Sequence, residues 1–153
     1  MKKFRYNMEN ILQIKLKLEE QAKIIYGNAR LHLTKEEQKL EQMEKQKASY
    51  EDELRSYRSD KLDIMKIRHS AEDIEVMKNN IKQQIIAVKN ASQRLEVARI
   101  RLNDAMVERK THDKLKEKAF LEYMLEFDSE ERKEVDELNS FHYSNTPLGE
   151  EDR

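Results

Sequence analysis

Cysteine and tryptophan are missing from the chain, and the turn formers are nearly so, with one proline and two glycines in 153 residues. Without cysteine there is no disulfide framework, no zinc ribbon and no thiol nucleophile, a composition compatible with a reducing cytoplasm. So few turn formers exclude sandwiches, barrels and Rossmann-type units, which need a tight turn every few residues. The glycines, Gly27 and Gly149, lie far apart and no GxxxxGK[ST] run is present, so no loop can cradle a phosphate. No apolar span of ~18 residues is available to cross a membrane, and the basic opening "MKKFRYNMENIL" is not followed by the apolar core of a signal peptide. The expectation is a soluble cytoplasmic protein without a nucleotide site of its own.

Metal and acid–base chemistry are equally poorly supplied. His32, His69, His112 and His142 stand apart, with no His-x3-His pair and no Glu-x-x-His, so neither a metal nor a cofactor is expected. Paired acids such as Glu19–Glu20 and Glu36–Glu37 are common on solvated helices, and a narrow helical assembly offers no pocket to raise a carboxyl pKa. A non-enzymatic protein follows.

What the chain has is charge, at 40% of residues, and apolar residues that are mostly Leu, Ile, Met and Ala. They recur at steps of three and four, the heptad signature of a coiled coil. The first series runs Phe4, Met8, Ile11, Leu18, Ala22, Ile25, Ala29, Leu33, Leu40, Met43, Tyr50, Leu54, Tyr57, with Lys15, Glu36 and Lys47 at seam positions where their stems can snorkel. A second runs Ile74, Met77, Ile81, Gln84, Val88, Ala91, Leu95, Ala98, Leu102, Ala105, and Arg109 and His112 keep its spacing. Between them, in "SDKLDIMKIRHSAED", the register breaks, and Ser70 followed by Glu72 and Asp73 suits the start of a new helix.

These patterns predict an all-α, antiparallel two-helix coiled-coil hairpin spanning 1–143, with helix one over about 3–60, reversal over about 61–70, helix two over about 71–142, and a disordered tail at 144–153. Folding back about residue 65 sets Leu40 against Ala91, Leu33 against Ala98, Ile25 against Ala105 and Ile11 against Ala119, large residues against small. The same fold sets Lys47 against Gln84, Met43 against Val88, Tyr50 against Ile81 and Leu54 against Met77. Because no glycine or proline marks the reversal, one uninterrupted helix coiling with other copies is the alternative.

Charge is distributed unevenly. Residues 1–125 hold 27 Lys and Arg against 21 Asp and Glu, whereas 126–153 hold 3 against 10. In the hairpin register, Met1 lies opposite Glu130, so the acidic "ERKEVDELNSFHY" extends past its partner helix with nothing to cover it. Acids near a helix C-terminus oppose the macrodipole, and Glu134, Asp136 and Glu137 therefore suggest a basic partner. At the reversal, Leu62, Ile64, Met65 and Ile67 are where an antiparallel pair ends, and with Tyr50 and Tyr57 they either close the coil or form a docking surface. Residues 99–118 carry Arg99, Arg101, Arg109, Lys110, Lys114, Lys116 and Lys118 without interleaved aromatics, which argues against a nucleic-acid partner.

Three stretches carry a family resemblance: "FRYNMENILQIKLKLEEQAK", "IKQQIIAVKNASQRLEVARIRLNDAMVERKTHDKLKEKAF" and "ERKEVDELNSFHY". Together they resemble FliJ, the coiled-coil protein of the bacterial flagellar (type III) export apparatus. The resemblance implies a stalk-like hairpin similar to the coiled coil of rotary-ATPase gamma subunits. It also implies binding to the hexameric export ATPase FliI and the membrane gate component FlhA, with free export chaperones as further partners, and a place at the cytoplasmic face of the inner membrane held through partners only. Carried onto this chain, Phe4, Arg5, Tyr6, Arg132, Lys133, Asp136 and Glu137 would face the ATPase ring, and Tyr50, Tyr57, Leu62, Ile64, Met65 and Ile67 the gate. The glycine expected at the tip of many relatives is missing here. A dimerising coiled-coil scaffold or chaperone with no ATPase partner is the competing reading.

Overall fold

The structure, a computed structural model, describes residues 2–59 and 63–145. Two helices account for nearly all of them: α1, Glu9–Ser59, and α2, Ile64–Asn145. They pack antiparallel as a helical hairpin. Of the expected reversal, residues 61 and 62, Leu62 among them, lie outside the described residues, as does the expected tail from 146 onward; its first two residues, 144 and 145, belong to α2.

The start of α2 is set by Asp63. Its Oδ1 accepts from the Met65 amide at 3.1 Å and the Lys66 amide at 3.4 Å, and its carbonyl accepts from Ile67 at 3.1 Å. This is N-cap chemistry, satisfying amides that the first helical turn leaves without partners. The helix therefore begins seven residues before the expected position 71, and Ser70 lies inside it, half-buried. An aspartate cap is as good as a serine one, and the apolar "IMKI" that follows can enter the first turns.

The chain divides into two compact units. In the first, formed by residues up to 17 and from 107, α1 starts at Glu9 and not near residue 3. Residues 2–6 are not helical and Asn7–Met8 form a turn, with the Glu9 amide donating to the Tyr6 carbonyl at 3.2 Å. The physical reason is Phe4. Its ring sits 5.3 Å from both Phe120 and Tyr123, edge-on to Phe120 at 77°, ring contacts that hold residues 2–6 against α2 in a non-helical path. Across the helices, Lys15 meets Glu108 at 2.7 Å and Lys116 meets Glu9 at 2.8 Å.

In the second unit, residues 18–106, Ala91, Ala98 and Ile74 are buried, and Leu33, Leu40, Met43, Leu54, Met77, Ile81, Val88 and Leu95 are half-buried, as a two-helix seam open to water on both sides requires. Leu102 is half-buried on the same seam. The register differs from the expected one. Gln84 contacts Glu36, not Lys47, and Lys47 instead pairs with Glu51 along its own helix at 3.7 Å. Heptads match themselves at every seven-residue slip, so large-against-small pairing leaves several registers open, and the early α2 start and the polar Glu36–Gln84 pair select this one.

The α1 seam also shifts by one residue in its first half. Leu12 is 3% exposed and Glu19 4%, whereas the expected core residues Ile11, Leu18 and Ile25 are 37%, 44% and 54% exposed. The stutter at Ala29–Leu33 belongs to this shift: the buried line passes through Leu12, Glu19, Ala22, Tyr26 and Ala29 before rejoining Leu33. Glu19 is held at that buried position with Lys23 at 3.4 Å.

Candidate protein-docking site

In the first unit, residues 2–8 lie against α2 and hold its last covered turns. Tyr123 Oη donates to the Lys2 carbonyl at 2.9 Å, and the ring cluster continues through Tyr123 to Phe127 at 6.3 Å. Between this segment and α2 is a cleft of about 1010 Å³ whose rim carries Lys2, Lys3 and Arg5 opposite Glu122 and Glu126. Phe4 and Tyr6 are half-buried here, the Tyr6 hydroxyl fully so, and Arg5 is exposed.

Past Phe127 the helix has no cover. Every residue in 128–145 is exposed, a run that includes Arg132, Lys133, Asp136 and Glu137. The uncovered part begins three residues earlier than the expected Glu131, because Lys2 is tied to Tyr123 and not further along α2. Six acids and two bases in this run give a net charge of −4. Val135, Leu138 and Phe141 are 53%, 59% and 62% exposed and share one side of the helix. Glu131 and Glu134 lie on that same side, so this face mixes three exposed apolar residues with acids along a ~27 Å length that its own first unit leaves uncovered.

The electrostatics of the covered part are those of paired carboxylates. The Lys116 ammonium and the Gln13 amide hold Glu9 below the usual glutamate range, and Lys15 does the same for Glu108. His112, which continues the seam, has a buried Nδ1 with no partner among the described residues. That atom is a polar defect in the coil, invisible to heptad reasoning beyond its being a polar seam residue.

In the second unit the residues near the reversal divide. Ile64 and Met65 are 76% and 73% exposed, while Ile67, Tyr50 and Tyr57 are half-buried. The Lys66 ammonium lies 5.8 Å from the Tyr57 ring centre, and the Tyr50 hydroxyl accepts from Gln46 at 3.0 Å. Tyr50 and Tyr57 thus serve the seam and its edge, leaving Ile64 and Met65 as the presented apolar pair.

No group of metal-ligating side chains occurs among the described residues, and no helix among them is long and apolar enough to cross a membrane. No curated protein matches the chain. A solved structure from Chlamydia trachomatis, that of the YscO homolog CT670, is similar in fold, with a TM-score of 0.70 at 22% identity over 97% of this chain and 100% of that one. The family model described as "Flagellar FliJ protein" matches residues 4–147, which take in the Phe4 contacts, both helices and the uncovered acidic run, and the chain therefore belongs to the FliJ family.

Proposed function

We propose that this protein is a non-catalytic subunit of flagellar protein export that binds the export ATPase FliI through the first unit and the gate protein FlhA through the exposed residues near the helix reversal. The observation that supports this reading most directly is the uncovered acidic helix at 128–145, whose exposed Val135, Leu138 and Phe141 have no cover within their unit. On this reading the ATPase ring supplies the cover, and Arg132, Lys133, Asp136 and Glu137, with Arg5 of the same unit, are the polar contacts. Phe4 and Tyr6 act behind them by fixing residues 2–8 on α2. Ile64 and Met65 are the gate-side contacts. The protein is carried to the cytoplasmic face of the inner membrane by these partners, and export chaperones are further candidates for its exposed faces.

The test is ATP hydrolysis by the purified cognate ATPase as the full chain or a version ending at Ser129 is added. Stimulation by the full chain and its loss in the shortened version is the expected result. The shortened version keeps Phe120, Tyr123 and Phe127, so the first unit retains its aromatic contacts. Equal stimulation by both would remove the acidic run from the interface, and stimulation by neither would favour a plain coiled-coil scaffold.

A further inference from the structure

Within the first unit, α2 presents a second line of residues away from Tyr123 and Phe127, the side on which residues 2–8 and the ring cluster lie. Leu121, Leu125, Asp128, Arg132, Val135 and Asn139 follow one another at steps of four and three, so they share one side of the helix over ~27 Å. All six are exposed, Leu121, Leu125 and Val135 at 56%, 70% and 53%. Asp128 and Arg132 stand four apart at the centre of the line, yet neither has an ion pair or hydrogen bond among the described residues. With Val135 they line a shallow hollow of about 410 Å³. An unpaired acid and base at the middle, with apolar residues beyond each, make a line that can complement itself.

Turned end for end about position 130, the line meets itself: Leu125 falls opposite Val135, Asp128 opposite Arg132 and Leu121 opposite Asn139. We propose that two copies of the chain associate along this line, their α2 helices antiparallel and each pairing made twice about a two-fold axis. Met124 and Leu138, 38% and 59% exposed, lie one step to the same side and meet at the same register. Neighbouring registers do not match. A slip of one heptad sets Leu125 against Asp128, or Val135 against Arg132, and a parallel pair sets each charge against its own copy. On the rim, Glu131 faces Glu131 of the other copy and Glu122 faces Asp136, so like charges outnumber the two Asp128–Arg132 pairs and apolar contact supplies the attraction. Arg132 is covered in the pair, so a second copy and any other partner that takes Arg132 exclude each other. The pairing does not rest on which protein that partner is.

Sedimentation of the full chain across a concentration series, with cross-linking at chosen positions, tests this. One helix pair is a small interface, so the dimer is expected to build up between roughly 10 and 100 μM. It should strengthen as salt rises from roughly 50 to 500 mM, which screens the rim acids. D128R or R132D alone sets like charges at the centre and weakens association about fivefold or more, and an equimolar mixture of the two associates again. The native chain has no cysteine, so L125C mixed with V135C in a glutathione redox buffer should form a disulfide between copies faster than either variant alone. All of these positions are exposed, and circular dichroism establishes that each variant keeps its helix content. A chain that stays monomeric throughout that range, or association that falls with salt, overturns the proposal. So does a D128R and R132D mixture no better associated than its components, or an L125C and V135C mixture no better cross-linked than each alone. The ATPase reading is tested separately by Leu125→Glu, which removes the self-contact, leaves Arg132, Lys133, Asp136 and Glu137 in place, and should still stimulate the ATPase.

Discussion

Gln84 donates its side-chain amide to Glu36 twice over, at 2.6 Å to the carboxylate and at 2.9 Å to the main-chain carbonyl, across the buried seam of the second unit. Both residues are buried, at 9% and 8% exposure. A polar pair in a narrow apolar seam adds little net stability but penalises every register that separates its members. Gln84→Leu leaves a buried carboxylate facing a methyl group, and the expected result is a Tm lower by on the order of 2–6 °C. Replacing both, Glu36→Leu with Gln84→Leu, recovers that loss while permitting slipped pairings. Cysteine pairs introduced at the present register and one heptad away would then both cross-link, whereas the wild-type background cross-links only the first.

The reversal makes a second prediction. Asp63 caps α2 through the Met65 and Lys66 amides, and Ser70 sits within the helix. Asp63→Ala should therefore destabilise by about 0.5–2 kcal/mol, and Asp63→Asn by much less, since asparagine caps as well. Ser70→Ala should be neutral or slightly stabilising, alanine being the better helix former. Urea unfolding of the three variants checks the order, and a large loss with Ser70→Ala alone would move the helix start back to residue 71.

Legibility in the sequence followed the strength of the local signal. On α2 the positions from Ile74 to Leu102 that the spacing picks out are buried or half-buried, although Val76, Ile85, Ile86, Val97 and Ile100 lie among them, because only the picked series keeps the three-four step without a break. On α1 the same procedure fails between residues 11 and 25, where "NILQIKLKL" offers Ile11, Leu12, Ile14, Leu16 and Leu18, enough apolar residues for two overlapping heptads. The buried choice, through Leu12 and Glu19, places a carboxylate in the seam and two isoleucines outside it, against simple hydrophobic counting. Phe4 has the spacing of a helical seam residue, and no pattern in one sequence distinguishes that from a side contact with Phe120. The uncovered acidic run was legible because it depends only on the two helices being unequal in length.

That α1 shift is itself testable. Leu12→Ala removes a side chain that is 3% exposed and should cost about 2–3 kcal/mol. Leu18→Ala, at 44% exposure, should cost under about 1 kcal/mol. Thermal unfolding of the two variants distinguishes the observed seam from the alternative through Ile11 and Leu18, which reverses the ranking.

Acid should weaken the hairpin through three carboxylates. The Gln84 amide holds Glu36 below the ordinary glutamate range, Lys116 and Gln13 hold Glu9 there, and Lys15 holds Glu108. A carboxylate depressed in the folded state contributes stability that is fully present above its unfolded pKa of about 4.3 and is lost as pH falls through the lower folded value. Stability from these groups is thus expected to be flat from neutral pH to about 5 and to fall below about 4.3. Glu108→Gln should shrink the acid-side loss without altering its onset. High salt should shrink it as well for the Glu108 pair, whose partners are partly exposed.

Phe4 links this chain's stability to the presentation of its acidic run. The ring is the one apolar side chain of residues 2–6 other than Tyr6, and its contacts with Phe120 and Tyr123 hold those residues on α2. Phe4→Ala removes two ring contacts, about 1–3 kcal/mol of local stability. Amides of residues 4–9 and the α2 turns around Tyr123 should then exchange faster, while those around Ala91 and Ala98 keep their protection, because local openings follow local contacts. Tyr123→Phe, which keeps the ring stack and loses only the bond to the Lys2 carbonyl, should give a smaller increase in the same amides. Uniform acceleration along the chain in Phe4→Ala would mean that these contacts hold the whole hairpin and not its first unit alone.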